Sequence, residues 1–239
     1  MAERYALMWS GGKDSALALR RVRARGVNVT RLVNFYDPAT DRVRFHATRS
    51  ELIRAQAAAM GVELYALGVP WDSYEASFQE LLVSLKVEGF AGVVFGDIHL
   101  TDVRGWYEER VLAAGLAHVE PIWGEPPAAL LAEFVASGSR AVLTCVEITK
   151  LGEEWLGRVI DERFVAEVAA TGIDPAGEHG EYHSFAYAGP LFKTPVRWRA
   201  GVRRSDGDFA QLDLELSPVG SRTPRSSARR LRRVRSTSS

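Results

Sequence analysis

Short apolar runs of strand length alternate with stretches in which apolar residues recur at helical spacing. Tyr5-Ala6-Leu7-Met8-Trp9 is such a run, and it passes through Ser10-Gly11-Gly12-Lys13-Asp14-Ser15 into a helical pattern opened by Ala16-Leu17-Ala18-Leu19. Residues 29–35 read as a strand, 50–60 as a helix stopped by Gly61, and 63–67 as the next strand. Apolar spacing at Phe78, Leu81, Leu82 and Leu85 predicts a helix over 73–88, followed by the buried strand Gly92-Val93-Val94-Phe95 and a helix over 101–114. Repeated strand and helix units predict an α/β protein: a parallel sheet with helices on both faces.

The pattern changes at Gly124-Glu125-Pro126-Pro127, where proline and glycine interrupt the chain. Beyond it we expect a helix over 128–137 and a buried strand over 141–146. One or two helices should follow over 153–171, then a hairpin of 196–202 and 209–216 joined across Ser205-Asp206-Gly207-Asp208. This divides the chain into a parallel-sheet domain at 1–124, a smaller mixed α/β domain at 125–219 and a tail at 220–239.

Candidate chemistry begins at the first turn. A strand, a glycine turn and a helix N-terminus make a phosphate cradle: the glycines let backbone N–H groups approach an anion, and Ser10, Ser15 and Lys13 add hydroxyl and ammonium donors. The spacing is neither that of a Walker A loop nor Gly-x-Gly-x-x-Gly. Gly96-Asp97-Ile98 lies at the carboxyl end of another expected strand, where ligands of parallel sheets collect. The third candidate is Gly177-Glu178-His179-Gly180-Glu181-Tyr182-His183-Ser184-Phe185, two carboxylates, two imidazoles and a phenol in a glycine-punctuated loop. We expect that loop to present Glu178, Glu181 and His183 toward a cleft. His179 and His183 are spaced as zinc ligands on a helix would be, but Gly180 between them weakens that geometry. His46 and His99 fall near strand-end loops, in reach of a nucleotide, whereas His118 reads as structural. Core packing is the expectation for Trp106, Tyr107, Trp123 and Trp155.

Composition narrows the class. At 239 residues and 46% hydrophobic the chain can bury a substantial core. No apolar stretch approaches the roughly 20 residues that span a bilayer, and the N-terminus runs directly into the first strand, so the expected address is the cytoplasm. Cys145, the single cysteine, excludes an internal disulfide and reads as a buried strand residue. The net charge of +0 conceals a split: residues 220–239 hold seven arginines and no acid, leaving 23 basic against 30 acidic side chains upstream, a body near −7. That Ser/Arg-rich tail should be disordered, and any contact with nucleic acid would run through it, nonspecifically and with strong salt dependence.

Ser-Gly-Gly-x-Asp-Ser resembles the pyrophosphate loop of the N-type ATP pyrophosphatases, which split ATP between the α and β phosphates. With Gly-Asp-Ile at 96–98 and Gly-Glu-His-Gly-Glu-Tyr-His-Ser-Phe at 177–185 in the same order, the chain resembles the diphthine–ammonia ligase family and its ATP-binding relatives. The likeness runs from Tyr5 to about Phe192 and takes in Phe45-His46, Gln56-Ala57, Pro121-Ile122-Trp123 and Gly189-Pro190. Ser184 stands where threonine is usual, and the basic tail has no counterpart. The resemblance implies an adenine nucleotide α-hydrolase-like domain and a two-step amidation: a carboxylate attacks the α-phosphate of ATP, and ammonia then displaces AMP. In that scheme Ser10, Gly11, Gly12, Lys13, Asp14, Ser15, His46, Gly96 and Asp97 bind ATP. Asp14 and Asp97 hold Mg²⁺, and Lys13, Asp97, Glu178, Glu181 and His183 serve catalysis.

The partners implied are ATP, ammonia and a carboxylate acceptor, either a diphthine-like protein residue or a small metabolite; a homodimer stays open. Two other functions are compatible with a pyrophosphate loop: an RNA-modifying enzyme that uses the arginine tail, and a sensor that holds ATP or AMP without turnover. Thiolation is disfavoured because one cysteine cannot supply a catalytic pair. The carboxylates at 178 and 181 argue against a sensor, since binding alone needs no such cluster.

Overall fold

The computed structural model describes residues 2–217. The expected disorder and nucleic-acid contact of the basic tail lie outside the described residues. Strand β1 (Arg4–Met8) leads into α1 (Lys13–Ala24), β2 (Asn28–Asp37), the short β3 (Arg42–Val43), α2 (Ser50–Met60), β4 (Glu63–Gly68), α3 (Tyr74–Val87), β5 (Phe90–Val94), α4 (Thr101–Ala113) and β6 (Ala117–Val119). Pairing is parallel along β4-β2-β1-β5-β6, with β3 added antiparallel at the carboxyl end of β2.

Both faces of this sheet are covered because neighbouring residues along a strand point to opposite sides. Leu7, Leu32 and Val94 enter one core with Leu17 and Leu19 of α1 and Leu52 and Ile53 of α2. Ala6, Val33 and Val93, one position away, enter a second core with Phe78, Leu81, Leu82 and Leu85 of α3 and Val111 of α4. Helices α1 and α2 therefore cover one face, and α3 and α4 the other. The winding reverses between β1 and β5, which makes the gap beyond their carboxyl ends the topological switch point of the sheet.

The chain continues through α5 (Pro127–Ala136), β7 (Arg140–Glu147), α6 (Glu162–Ala169), β8 (Tyr182–Ala188), β9 (Trp198–Asp206) and β10 (Phe209–Leu216). The last four strands form an antiparallel sheet in the order β8-β7-β10-β9. The expected hairpin is present, with Phe209 opposite Asp206. Cys145 is buried on β7, and burial pushes its thiol up to about 12.

Two expectations differ from the structure. Of the helices expected over 153–171, only one 3₁₀ turn (Glu153–Trp155) and α6 form. The stretch between them runs extended beside β7, exchanging backbone hydrogen bonds with Ala141 and Leu143, because that part of the β7 edge lies beyond the reach of β10. Residues 182–185, expected as loop, begin β8, since their alternation of buried side chains suits pairing with β7.

The two sheets share one hydrophobic core, in which Val142, Phe185 and Leu214 join Leu7 and Ile53. A buried ion pair adds direction to that contact. Asp213 of β10 is 3% exposed. Its Oδ1 accepts from Arg42 Nη1 at 2.8 Å and Arg49 Nε at 2.9 Å, and both arginines belong to the segment between β2 and α2. Burial alone would raise the Asp213 carboxyl, but the two guanidiniums outweigh it and hold the group well below the usual carboxylate range.

Because the folded-state carboxyl is depressed, its contribution is present above pH ~4 and is lost as pH falls through the folded value. Asp213→Asn should cost about 2–4 kcal/mol at neutral pH, measured by denaturant unfolding. The difference from the parent should shrink in acid; a difference that stayed constant down to about pH 3 would remove the ion pair as its source.

Candidate active site

The loop after β1 turns at Gly11, whose φ of +84° is a left-handed conformation that favours glycine; a Cβ there would meet Ile53 Cδ1 at 2.6 Å and Gln56 Oε1 at 2.8 Å. Within the loop, Ser10 Oγ accepts from Gly12 N at 3.2 Å and Ser15 Oγ donates to the Gly12 carbonyl at 3.1 Å. Gly96, beyond β5, comes so close to the start of α1 that a Cβ would stand 3.0 Å from Ser15 N and 3.1 Å from the Asp14 carbonyl carbon. The two strand ends of the switch point thus meet backbone to backbone.

The antiparallel sheet closes the loop from the other side. Ala186 N of β8 donates to the Gly11 carbonyl at 2.8 Å, and Ser184 Oγ accepts from Lys13 N at 3.2 Å. Gln56, fully buried on α2, ties these parts together: its Nε2 donates to the carbonyls of Gly11 (2.9 Å) and Ala186 (2.6 Å), and its Oε1 accepts from Trp9 Nε1 (2.8 Å). Both backbone groups of Ala186 and the Ser184 hydroxyl of β8 are thereby engaged in fixing the loop after β1.

These elements enclose a cleft of about 460 Å³, within the range of small-molecule sites. Ser10, Lys13, Asp14, Ser15, His46, Gly96, Asp97, Glu178 and His183 all line it. Gly11 and Gly12 act through backbone geometry behind it. One flank is apolar, formed by Met8, Val33, Phe35, Val69 and Phe95.

Charge is unbalanced at the polar end. Lys13 is 4% exposed; its Nζ donates to Asp14 at 2.7 and 3.0 Å and to the Ala176 carbonyl, and lies 5.1 Å over the Tyr182 ring. Burial raises the Asp14 carboxyl, with Lys13 offsetting part of that rise. Asp97 is pushed up to about 6, by burial and then by the charge of Asp14. Glu178 is pushed up to about 8 by the same two causes. Three carboxyl groups facing one ammonium leave a site that favours added positive charge.

The two histidines of the cleft are neutral near pH 7. The His46 ring packs against His183 at a tilt of 46° with centroids 4.7 Å apart, and its Nδ1 lies 3.3 Å from the Ser184 carbonyl. Burial lowers His46 to about 4, and burial followed by the His46 charge takes His183 well below its ordinary value.

Three expected positions fall elsewhere. Glu181 does not join Glu178 and His183 on the cleft; it is 4% exposed and its Oε2 accepts from His179 N at 3.0 Å, so it shapes the loop that carries Glu178. Glu181 stands just before β8, which begins at Tyr182, so strand alternation does not bring it to the face of His183, and its carboxylate turns back onto the His179 backbone instead. His99 lines no part of the cleft and meets His179 instead, at 3.5 Å between Nε2 atoms. His179 and His183 are separated by the turn at Gly180 and do not converge. His118 is buried beside Glu120, with 3.4 Å between Nε2 and Oε1.

Other groups were not legible as site residues. Phe45 is 67% exposed at the cleft mouth with φ +63°, stacked on His183 and edge-on to Trp71. Tyr74 and Tyr107 share a 2.7 Å hydrogen bond in the cleft wall, so Tyr107 serves both core and site. Gln56 carried a signal in principle, as an amide inside an otherwise apolar helix face, 52, 53, 57 and 60.

The fold and site define a doubly wound α/β protein whose glycine turn at the switch point is roofed by a second, antiparallel sheet. The chain belongs to the diphthamide synthase family: residues 3–117 match the diphthamide synthase N-terminal domain and 126–214 the C-terminal domain. The first match contains Ser10–Ser15, His46, Gly96 and Asp97, and the second Glu178, Glu181 and His183. Similar proteins include the diphthine–ammonia ligases of Danio rerio, 29% identical over 85% of this chain and 90% of that protein, and of Mus musculus, 26% identical over 81% and 82%. The human diphthine–ammonia ligase is 26% identical over 81% of this chain and 82% of its own length.

Gln56→Leu should leave Trp9 Nε1 and the Ala186 carbonyl unsatisfied in a buried position. We expect a loss of about 2–5 kcal/mol in unfolding free energy and weaker nucleotide binding in the protein that remains folded. Calorimetric titration with a nonhydrolysable ATP analogue reads the second effect, and unchanged affinity would show that the loop keeps its shape without this amide.

Proposed function

We propose that this protein is an ATP-dependent amidating ligase that adenylates a carboxylate of the diphthine type and transfers ammonia to it. The observation that carries this reading is the convergence of the phosphate loop at 10–15 and the carboxylate loop at 177–183 on one cleft. Membership of the diphthamide synthase family and the names of its relatives support the acceptor class.

In this reading the apolar flank holds adenine, and the N-terminus of α1, whose first-turn N–H groups lack partners within the helix, receives the phosphates together with Lys13. The acceptor carboxylate oxygen attacks the α-phosphorus, and the bond to the bridging oxygen breaks as pyrophosphate leaves with the electron pair. Lys13 stabilises the charge that grows on the leaving group. Ammonia then attacks the acyl carbon, AMP departs, and the nitrogen loses a proton. Glu178, with a carboxyl near pH 8, suits that proton transfer because a base works best when poised near the working pH. His183, neutral and on the same wall, orients the nucleophile.

Asp14 and Asp97 fit a magnesium ion. Mg²⁺ is usually held by one or two carboxylates together with phosphate oxygens and waters, and the carboxylate excess around Lys13 is what such an ion relieves. When bound it would screen the pyrophosphate charge. The buried Cys145, with its thiol near 12, offers nothing for thiol chemistry. The cytoplasm, where ATP, ammonia and carboxylate acceptors meet, is the compartment this chemistry suits.

Incubation with ATP, Mg²⁺, ammonium and a diphthine-bearing acceptor should yield AMP and pyrophosphate in step with amidated product. ADP and phosphate would overturn the pyrophosphatase reading, and tight ATP binding without cleavage would favour a sensor. Lys13→Ala should lower kcat/KM for ATP by roughly 10- to 150-fold, the value of one charge-assisted contact. A variant with parental kinetics would take Lys13 out of the reaction.

A further inference from the structure

Beside the cleft, and outside the residues used above, three metal-ligating side chains converge from two parts of the fold. His99 stands on the connection between β5 and α4, two residues after Asp97. Asp174 and His179 stand on the segment between α6 and β8, on either side of Glu178. One ligand atom from each lies within 4.8 Å of the others. His99 Nε2 is 3.2 Å from Asp174 Oδ2 and 3.5 Å from His179 Nε2.

Those separations carry chemical meaning. A tetrahedral ion with bonds of about 2.0–2.1 Å to nitrogen and oxygen sets its ligands about 3.3 Å apart. Two of the three edges here are close to that spacing. The two imidazole rings meet edge to face, 69° apart, with their Nε2 atoms directed at one another. The carboxylate is fixed as ligating carboxylates usually are: Asp174 Oδ1 accepts from Ala176 N at 2.8 Å, which leaves Oδ2 toward the histidines, and the side chain is only 7% exposed. His179 is oriented by its own backbone, whose N–H is held by Glu181. The cluster opens on a shallow cleft between Pro126-Pro127 and Gly172-Ile173, so a fourth position is accessible to water.

We propose that His99, Asp174 and His179 form a binding site for one transition-metal ion of the zinc class. Two imidazoles and one carboxylate select such ions over magnesium, which prefers oxygen and octahedral geometry. The site is separate from the Asp14 and Asp97 carboxylates. Its consequence is mechanical: the ion joins the connection that carries Asp97 to the loop that carries Glu178, and so fixes the two walls of the cleft against each other. Glu181 acquires a purpose in the same arrangement, as the residue that positions the His179 backbone.

The test uses full-length protein stripped of metal with a chelator and titrated with Co²⁺, followed by its visible absorption. One equivalent should produce the intense band of a low-coordinate site, Zn²⁺ should displace it, and millimolar Mg²⁺ should not. His99→Ala and Asp174→Asn should abolish the band. His179→Gln, on an exposed loop where loss of folding is not expected, should weaken Co²⁺ binding by roughly 100-fold or more, with an unchanged circular dichroism spectrum. Zn²⁺ should also raise the Tm of the parent and not that of His179→Gln. Absence of a band in the parent, or an equal band in His179→Gln, would overturn the site. ATP affinity of the stripped parent, measured separately, distinguishes a failure of this site from a failure of the nucleotide reading.

Discussion

The Gly11 carbonyl, held at once by the Ala186 N–H of β8 and the Gln56 amide, is the constraint on which the site depends. A glycine turn after a parallel strand is soft by itself, since glycine allows more backbone conformations than any other residue. Here a second sheet supplies the restraint. Its edge strand runs beside the turn, its Ser184 hydroxyl takes the Lys13 N–H, and its preceding loop delivers the Ala176 carbonyl to the Lys13 ammonium. The antiparallel sheet is thus a roof that restrains the shape of the glycine turn, and the turn itself covers backbone groups on the β8 edge that would otherwise be unpaired.

The same docking sets the electrostatics. Asp14 and Asp97 come from the parallel sheet, whereas Glu178 and Asp174 arrive with the second half of the chain. Bringing them around one buried lysine removes water and concentrates negative charge, which raises the carboxyl groups of Asp97 and Glu178. Such a cluster is costly by itself, because each buried carboxylate raises the others, and added positive charge would relieve it. The Asp213 pair with Arg42 and Arg49 works in the opposite sense: there the guanidiniums complete the buried carboxylate within the chain itself, and the result is structural cohesion between the two sheets.

Much of this was legible in the order of residues. The alternation of apolar runs and helical spacing up to Ala113 depends on local periodicity, and the parallel sheet with its helices follows from it. The loop at 10–15 and Gly96-Asp97 were recognisable because a glycine turn at a strand end has few other uses. Alternation failed at 153–171, where apolar spacing suggested helix but the open edge of β7 claimed the backbone of the stretch before α6. It failed again at 182–185, where polar residues masked the start of a strand whose partners lie about forty residues away in sequence.

What the sequence determined on its own was therefore whatever rests on short-range pattern: the α/β class, the glycine turn between β1 and α1, the buried Cys145 and the set of polar residues from which a site could be drawn. Which members of that set meet was decided only by the tertiary structure. Glu178 and His183 reach the cleft while Glu181 turns inward, and His179 pairs with His99 from the other half of the chain instead of with His183. Gln56 gains its role only because α2 happens to lie between Gly11 and Ala186, residues 45 and 130 positions away. The reason is that convergence depends on long-range docking of two sheets through a shared core, and no periodicity along a chain encodes the distance between residues so far apart in it.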